Sequence, residues 1–396
     1  MGKSKYLVPM SSPDINEEDR QIVFDVLRTN YLSMGPYITG LESAFSKYTG
    51  SQHALGVNSG TSGLHLCVRA AGIQAGDYVI TTPFSFVSST NVLLFENAIP
   101  VFVDVDPETG NIDTNLVGQA AVSLTSRENE RTEKWLPRKE ASSSGTLKAI
   151  LSVDVFGQPA DYDKLEAIAK KHQIALIEDS CEAIGAEYKG QKAGTFGDFG
   201  VFAFYPNKQM TTGEGGMIIT NDAESADMMR ALRNQGRAPG DNWLQHTHLG
   251  YNYRMDEMSA ALGLSQIKRI DDLVAKRKMV ADWYIKNLQE IGGVEVPFIS
   301  PNTTRMSWFV FVIRFDPRYD RDRIAEKLDA AGIPVRPYFL PIHLQPYMVE
   351  RFGFREGDFP VTEDLGRRSL ALPFSGVMTE EQVILVCDRL KACLSE

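Results

Sequence analysis

Between residues 54 and 220, short apolar runs alternate with helical patterns, and this rhythm restricts the fold more than any other feature of the chain. Strand-like runs fall at 54–57, 78–82, 101–105, 147–153, 174–178, 199–204 and 216–220, with helical patterns at 61–71, 87–96 and 165–172 among them. Strands that alternate with helices build an α/β layer with a mostly parallel sheet, because each helix returns the chain to the edge where the next strand starts. The stretch 119–145 breaks the rhythm. It is dense in charge over 126–133 and rich in Ser and Gly over 142–145, and it reads as a long surface loop.

The flanks have a different texture. Residues 17–29 place Ile22, Val23, Val26 and Leu27 on one face, which predicts an amphipathic helix capped by Asp14 or Asn16. Leu41, Phe45 and Tyr48 predict another helix, ended by Gly50. Residues 256–291 read as one long helix or two stacked ones. A strand at 308–315, a helix at 322–331, a loop punctuated by Pro334, Pro337, Pro341 and Pro346, and a last helix over 380–394 follow. The expected division is a large α/β domain over 31–265 and a small α+β domain over 266–396, with 1–30 packed against the small one.

The net charge of −10 argues against a general nucleic-acid binder, which would show a basic surface. No apolar run is long enough to span a bilayer, and Tyr6 stands where an N-myristoylation signal needs Ser or Thr. Four cysteines without a C-x-x-C pair are too few for a disulfide framework in 396 residues. A cytoplasmic, reducing compartment is expected.

The strand at 174–178 runs into Glu178 and Asp179, which puts two carboxylates at the carboxyl edge of a parallel sheet, where α/β ligand sites form. Alternation sends them to opposite faces. Asp179 can hold a ring nitrogen protonated or cap a following helix. Lys208 follows an aromatic strand and precedes the Gly-rich turn 211–216; it is a Schiff-base lysine or an ordinary turn lysine. Residues 58–63, Asn-Ser-Gly-Thr-Ser-Gly, open a helix, either as a phosphate cradle or as a plain capped turn. Phe84 or Phe86 can stack on a flat ring or fill the core. His246-x-His248 lacks a third ligand, so no metal is expected.

Taken together, these stretches carry a resemblance. With Gly35-Pro36, Pro100 to Asp104, Val155 to Pro159, Gly197-Asp198, Tyr205 to Lys208, Thr211 to Gly216 and Gly250 to Arg254, the chain resembles the DegT/DnrJ/EryC1/StrS sugar aminotransferases along nearly its whole length. The resemblance implies the aspartate-aminotransferase-like fold type I of enzymes dependent on pyridoxal 5′-phosphate, with a mixed, mostly parallel seven-stranded sheet. It implies that Lys208 binds the cofactor and shuttles a proton, Asp179 pairs with the pyridine nitrogen, and Phe86 stacks on the ring. Gly60 and Thr61 would hold the phosphate, helped by Asn252 from the neighbouring subunit of an obligate homodimer. Two positions depart from the family: Glu182 stands where glutamine is usual, and Ala203 where serine is usual. A carboxylate at 182 would repel the cofactor's phenolic oxygen unless it is protonated or turned away.

The implied reaction is amination of a keto sugar, usually nucleotide-linked, by an amino acid, typically glutamate, for amino-sugar, polysaccharide or glycosylated-metabolite biosynthesis. Tyr31, Arg237 and His343 are candidate substrate contacts, from loops expected to face the cleft. The alternatives are a sugar dehydratase of the same fold, against which the retained Lys208 argues, and a non-enzymatic regulator.

Overall fold

The structure, a computed structural model, describes residues 5–126, 133–141, 143–238 and 240–395. The strands in chain order are β1 (His53–Val57), β2 (Tyr78–Thr81), β3 (Ile99–Phe102), β4 (Leu147–Val153), β5 (Ala175–Asp179), β6 (Glu187–Tyr188), β7 (Gln191–Lys192), β8 (Phe199–Ala203) and β9 (Gly216–Thr220). Seven of them form one sheet in the order β1-β9-β8-β5-β4-β2-β3. Only β9 runs against the others. Almost every residue of these strands is buried. Helices cover both faces of the sheet, as runs such as Ala-Ile-Leu-Ser-Val over 149–153 require.

Helix Gly60–Ala70 packs on β8 and β9 and buries Leu64, Leu66, Cys67 and Val68. On the other face Tyr162, Leu165 and Ala169 of helix Tyr162–His172 join Val117, Ala120, Ala121 and Leu124 of helix Thr114–Ser126 in a second core. That last helix corrects the surface-loop reading of 119–145. Its buried positions recur at helical spacing, and the interleaved Gly, Gln, Ser and Thr dilute the signal. The charged stretch 127–132 and Ser142 lie outside the described residues.

The segment 256–291 forms two helices, Glu257–Lys268 and Ile270–Leu288, which meet at Arg269. Beyond them β10 (Val294–Glu295), β12 (Phe311–Phe315) and β13 (Ser369–Leu372) make a small antiparallel sheet, while β11 (Thr303–Arg305) joins β6 and β7. Tyr284, Trp308, Phe311, Phe315 and Phe374 fill the core under the small sheet. Residues 5–10 lie on this layer: the Leu7 amide donates to the Gly332 carbonyl, and the Met10 carbonyl accepts from the Phe374 amide. Helix Glu17–Val26, capped by Asn16 in a capping box, rests on helix Glu257–Lys268. The reason is electrostatic. Asp19 is buried on the helix and finds its cation in Arg269 at 2.6 Å, with Gln266 donating at 2.8 Å.

Candidate active site

The carboxyl edge of the main sheet opens into a cavity of about 420 Å³. It is lined by Gly60, Thr61, Phe86, Asp179, Glu182 and Lys208, and also by Cys181, Asn207, Phe309 and Tyr338. Six positions picked from distant parts of the sequence therefore converge on one space. Asn252 does not line it. Its side is exposed, and its carbonyl accepts from the Asn58 side chain at 3.3 Å. Arg237 lies in a separate cavity of about 340 Å³ with Arg230, Arg233 and Arg254. Tyr31 is on the surface. His343 is sealed from solvent, hydrogen-bonded to Glu363 at 3.0 Å and packed edge-on to Phe359, so the structure does not bring it to a cleft.

Asp179 is the last residue of β5, and no helix follows it. One carboxylate oxygen accepts from the Cys181 amide at 3.2 Å. Burial raises its pKa, opposed by the Cys181 hydrogen bonds and by the Lys208 charge. A cationic N–H placed in the cavity would reinforce the ionised form. Glu178 points the other way, as alternation requires. It accepts from the amides of Gly194, Phe196 and Gly197 at 2.8, 2.6 and 2.5 Å, and burial lifts it to about 8. Its work is therefore to pin the loop before β8. Asp154, at the end of β4, is likewise buried and pushed up to about 6, and it accepts from Tyr162, Ser180 and the Ala160 amide.

Ser59 caps helix Gly60–Ala70 by accepting from the Ser62 amide. The first-turn amides of Gly60 and Thr61 have no helical carbonyl before them and face the cavity, the usual geometry for taking an anion. A side chain at Gly60 would sit 2.8 Å from both Ala203 Cβ and Cys181 Sγ, so the cradle requires glycine. The capped turn is realised by Ser59, and the same helix start lines the cavity where a phosphate cradle would lie. Phe84 is core, whereas Phe86 is 62% exposed on the cavity wall.

Lys208 sits in the turn after β8, its side chain 12% exposed. Its Nζ lies 3.5 Å from Glu182 Oε1 and 3.6 Å from the centroid of the Phe309 ring. Glu182 Oε2 is held by the Phe156 amide at 2.9 Å. Burial raises the Glu182 pKa and the Lys208 charge opposes it. The backbone of Lys208 is fixed by Arg277, which is 3% exposed. Its guanidinium donates to the carbonyls of Asn207 and Lys208 at 3.0 and 2.6 Å, and to those of Trp308 and Phe309 at 3.2 and 3.0 Å.

Sequence reasoning missed Arg277 and Phe309. The signal for Arg277 was present, since it falls in the buried stripe Leu273, Val274, Val280, Ala281 of its helix, where a charge demands an explanation. Phe309 had none beyond its place just before an aromatic strand.

The cavity suits pyridoxal phosphate. Its volume is that of a small-ligand site. It offers an amine, a carboxylate, an exposed ring and a helix N-terminus, and the buried Asn207 Oδ1 on its wall has no hydrogen-bond partner among the described residues. Fold and site together define a pyridoxal-phosphate-dependent aminotransferase. A profile of the DegT/DnrJ/EryC1/StrS aminotransferase family matches residues 13–391, and the chain belongs to that family. It is 35% identical to a GDP-perosamine synthase of Caulobacter vibrioides over 98% of both chains. It is 34% identical to the spore coat polysaccharide biosynthesis protein SpsC of Bacillus subtilis, over 98% of this chain and 97% of that one. Among solved structures it superposes on Helicobacter pylori PseC, an aminotransferase involved in the biosynthesis of pseudoaminic acid. The TM-score is 0.87 at 28% identity, with 98% of this chain and 99% of that one covered.

Proposed function

We propose that this enzyme moves an amino group from an amino acid, glutamate being the expected donor, to the ketone of a nucleotide-linked sugar. The observation that carries the proposal is the convergence of Lys208, Asp179 and Phe86 on one cavity beside the Gly60 helix start. Bound pyridoxal phosphate supplies an electron sink that accepts the amino group from one substrate and delivers it to the other.

The chain's own residues do the rest. Asp179, ionised, keeps a proton on the ring nitrogen. Phe86 stacks on the ring, and the amides of Gly60 and Thr61 take the phosphate. Lys208 would hold the cofactor through its carbonyl carbon and, once free, would be the group that moves a proton to or from the reacting carbons. A dehydratase has no use for such a lysine, nor has a regulator.

We divide the chain into the domains 31–265 and 266–396 and place the enzyme in the cytoplasm as a homodimer. Trp243, Leu244 and Leu249 are among the most exposed apolar side chains, and the Trp243 ring lies 4.9 Å from the guanidinium of Arg237 in the arginine-lined cavity; a second copy of the chain would cover them and bring Asn252 to its neighbour's phosphate site. In that cavity Arg233 is paired with Glu42, but Arg237 Nε is buried with no hydrogen-bond partner among the described residues, which favours a diphosphate there. Tyr31, exposed and three residues before the cavity-lining Met34, is a candidate sugar contact.

The test is incubation with glutamate and a panel of GDP-, UDP- and dTDP-linked keto sugars, read by mass spectrometry. The proposal expects a product with nitrogen in place of the carbonyl oxygen, and 2-oxoglutarate in equal amount. Amino transfer to keto acids with every sugar untouched would contradict it.

A further inference from the structure

Transamination requires Lys208 to leave the cofactor during each turnover, and the structure provides a place for the released amine. As the donor's amino nitrogen takes its place on the cofactor carbon, one carbon–nitrogen bond forms and one breaks. The two protons of the donor amine end on Lys208 Nζ, and no electrons are exchanged. The freed side chain must then stay near the reacting carbon, since it has a proton to move, yet must not compete with the substrate for that carbon. An amine that took up an external proton would also need a partner for its charge in a largely buried site.

Two groups meet Lys208 Nζ on different sides. The Glu182 carboxylate lies at 3.5 Å, and the face of Phe309 at 3.6 Å from its centroid. A ring face attracts an ammonium through its quadrupole, more strongly when water is excluded. Neither contact is accidental to the backbone. Glu182 is held by the Phe156 amide at 2.9 Å. Lys208 and Phe309 belong to segments 100 residues apart, and one guanidinium, that of Arg277, binds the carbonyls of both at 2.6 and 3.0 Å. Arg277 thus fixes the ring relative to the lysine. The guanidinium also lies over the Phe374 ring, 5.7 Å from its centroid.

We infer that Phe309 and Glu182 form a parking site for the free amine of Lys208, set by the Arg277 clamp, and that they favour the half of the cycle in which the cofactor carries the amino group. Phe309, Glu182 and Arg277 are positioning residues in this scheme. The inference rests on the reading of Lys208 as the cofactor-binding lysine.

A thermodynamic consequence follows. The parking contacts exist whenever Lys208 is free, so they exist both in the cofactor-free protein and with pyridoxamine phosphate bound. They are given up only when Lys208 bonds to pyridoxal phosphate. Weakening them therefore tightens pyridoxal phosphate relative to pyridoxamine phosphate. Contacts of residue 309 or 182 with the cofactor that are the same in both forms cancel in the ratio of their dissociation constants.

The experiment measures both constants by fluorescence titration for the wild type, Phe309→Leu and Glu182→Gln. The ratio of the pyridoxamine phosphate constant to the pyridoxal phosphate constant is expected to rise about tenfold in each variant, the scale of a desolvated cation–π contact. Glu182→Gln keeps the side-chain shape, so it decides the matter if Phe309→Leu does not fold. A ratio unchanged in the folded variants overturns the parking site. Borohydride trapping on the same wild-type sample separates the two readings. Trapped Lys208 with an unchanged ratio sinks the parking site alone, whereas no trapped Lys208 sinks the cofactor-lysine reading beneath it.

Discussion

Arg277→Met removes a buried cation that joins the lysine turn to the segment before β12, and its cost can be worked from the structure. Methionine keeps the length and apolar bulk of the stem but none of the donors. Four carbonyls, of Asn207, Lys208, Trp308 and Phe309, lose their partner. Hydrogen bonds to a charged group are worth roughly 1.5–3 kcal/mol each. The lower figure is appropriate because Asn207 and Lys208 line the cavity and can turn to water, which makes the gross loss about 6 kcal/mol. Against it stands the relief of an expensive charge. Burial lowers Arg277 from its ordinary value to about 10, a penalty of about 3 kcal/mol. The net expectation is a destabilisation of about 3 kcal/mol, large for a single substitution.

The pH dependence has a definite sign. The folded value lies below the unfolded one, so from about pH 10 up to the unfolded value the unfolded chain binds more protons and the wild type gains stability as pH rises. Below pH 9 both states are protonated, and the cost of Arg277→Met should be flat. The assay is the urea midpoint at pH 6.5 and 8.5, at one protein concentration and without cofactor. A variant as stable as the wild type would mean that the four bonds do no more than offset the buried charge, and would refute the clamp.

Three further outcomes are expected. Phe86→Ala should leave the melting temperature unchanged, because the ring is exposed, yet weaken pyridoxal phosphate binding about tenfold through lost stacking, as titration would show. Asp179→Asn should lower kcat by roughly 10²–10³, the usual loss when a group that stabilises developing charge is removed; steady-state kinetics at saturating cofactor reads it. Glu178, held near 8 by burial, binds a proton in the folded state that the unfolded chain releases above about 4.5. Its contribution to stability is full below the unfolded value and declines as pH rises through about 8. Glu178→Gln should therefore cost less stability at pH 9 than at pH 6, by urea denaturation at each pH.

The main sheet was legible because its strands are buried on both faces and read as continuous apolar runs, with Gly and Pro marking their ends. The strand that ends in Asp179 and the turn that holds Lys208 followed from that sheet, since parallel strands deliver their last residues to one edge. Helix Thr114–Ser126 was not legible, because its buried positions are mostly small and its neighbours polar. His343 misled for the opposite reason. A Pro-rich loop suggested exposure, but Glu363 and an aromatic cluster pull that histidine into the interior. Arg277 and Phe309 lie far along the chain from Lys208 and touch it only through tertiary packing, which no local pattern encodes. Arg237, read as a candidate for the cleft, falls in a different cavity, whose relation to the lysine would be set by a second subunit.

The central claim is that Lys208 binds the cofactor. The most direct measurement is the absorbance spectrum of the purified protein with pyridoxal phosphate, before and after borohydride, followed by peptide mapping, with Lys208→Ala alongside. The account predicts a visible band that borohydride abolishes, the cofactor's mass left on the Lys208 peptide, bleaching of the untreated band by glutamate, and no such adduct in the variant. No band, or a band and adduct unchanged in Lys208→Ala, would contradict it.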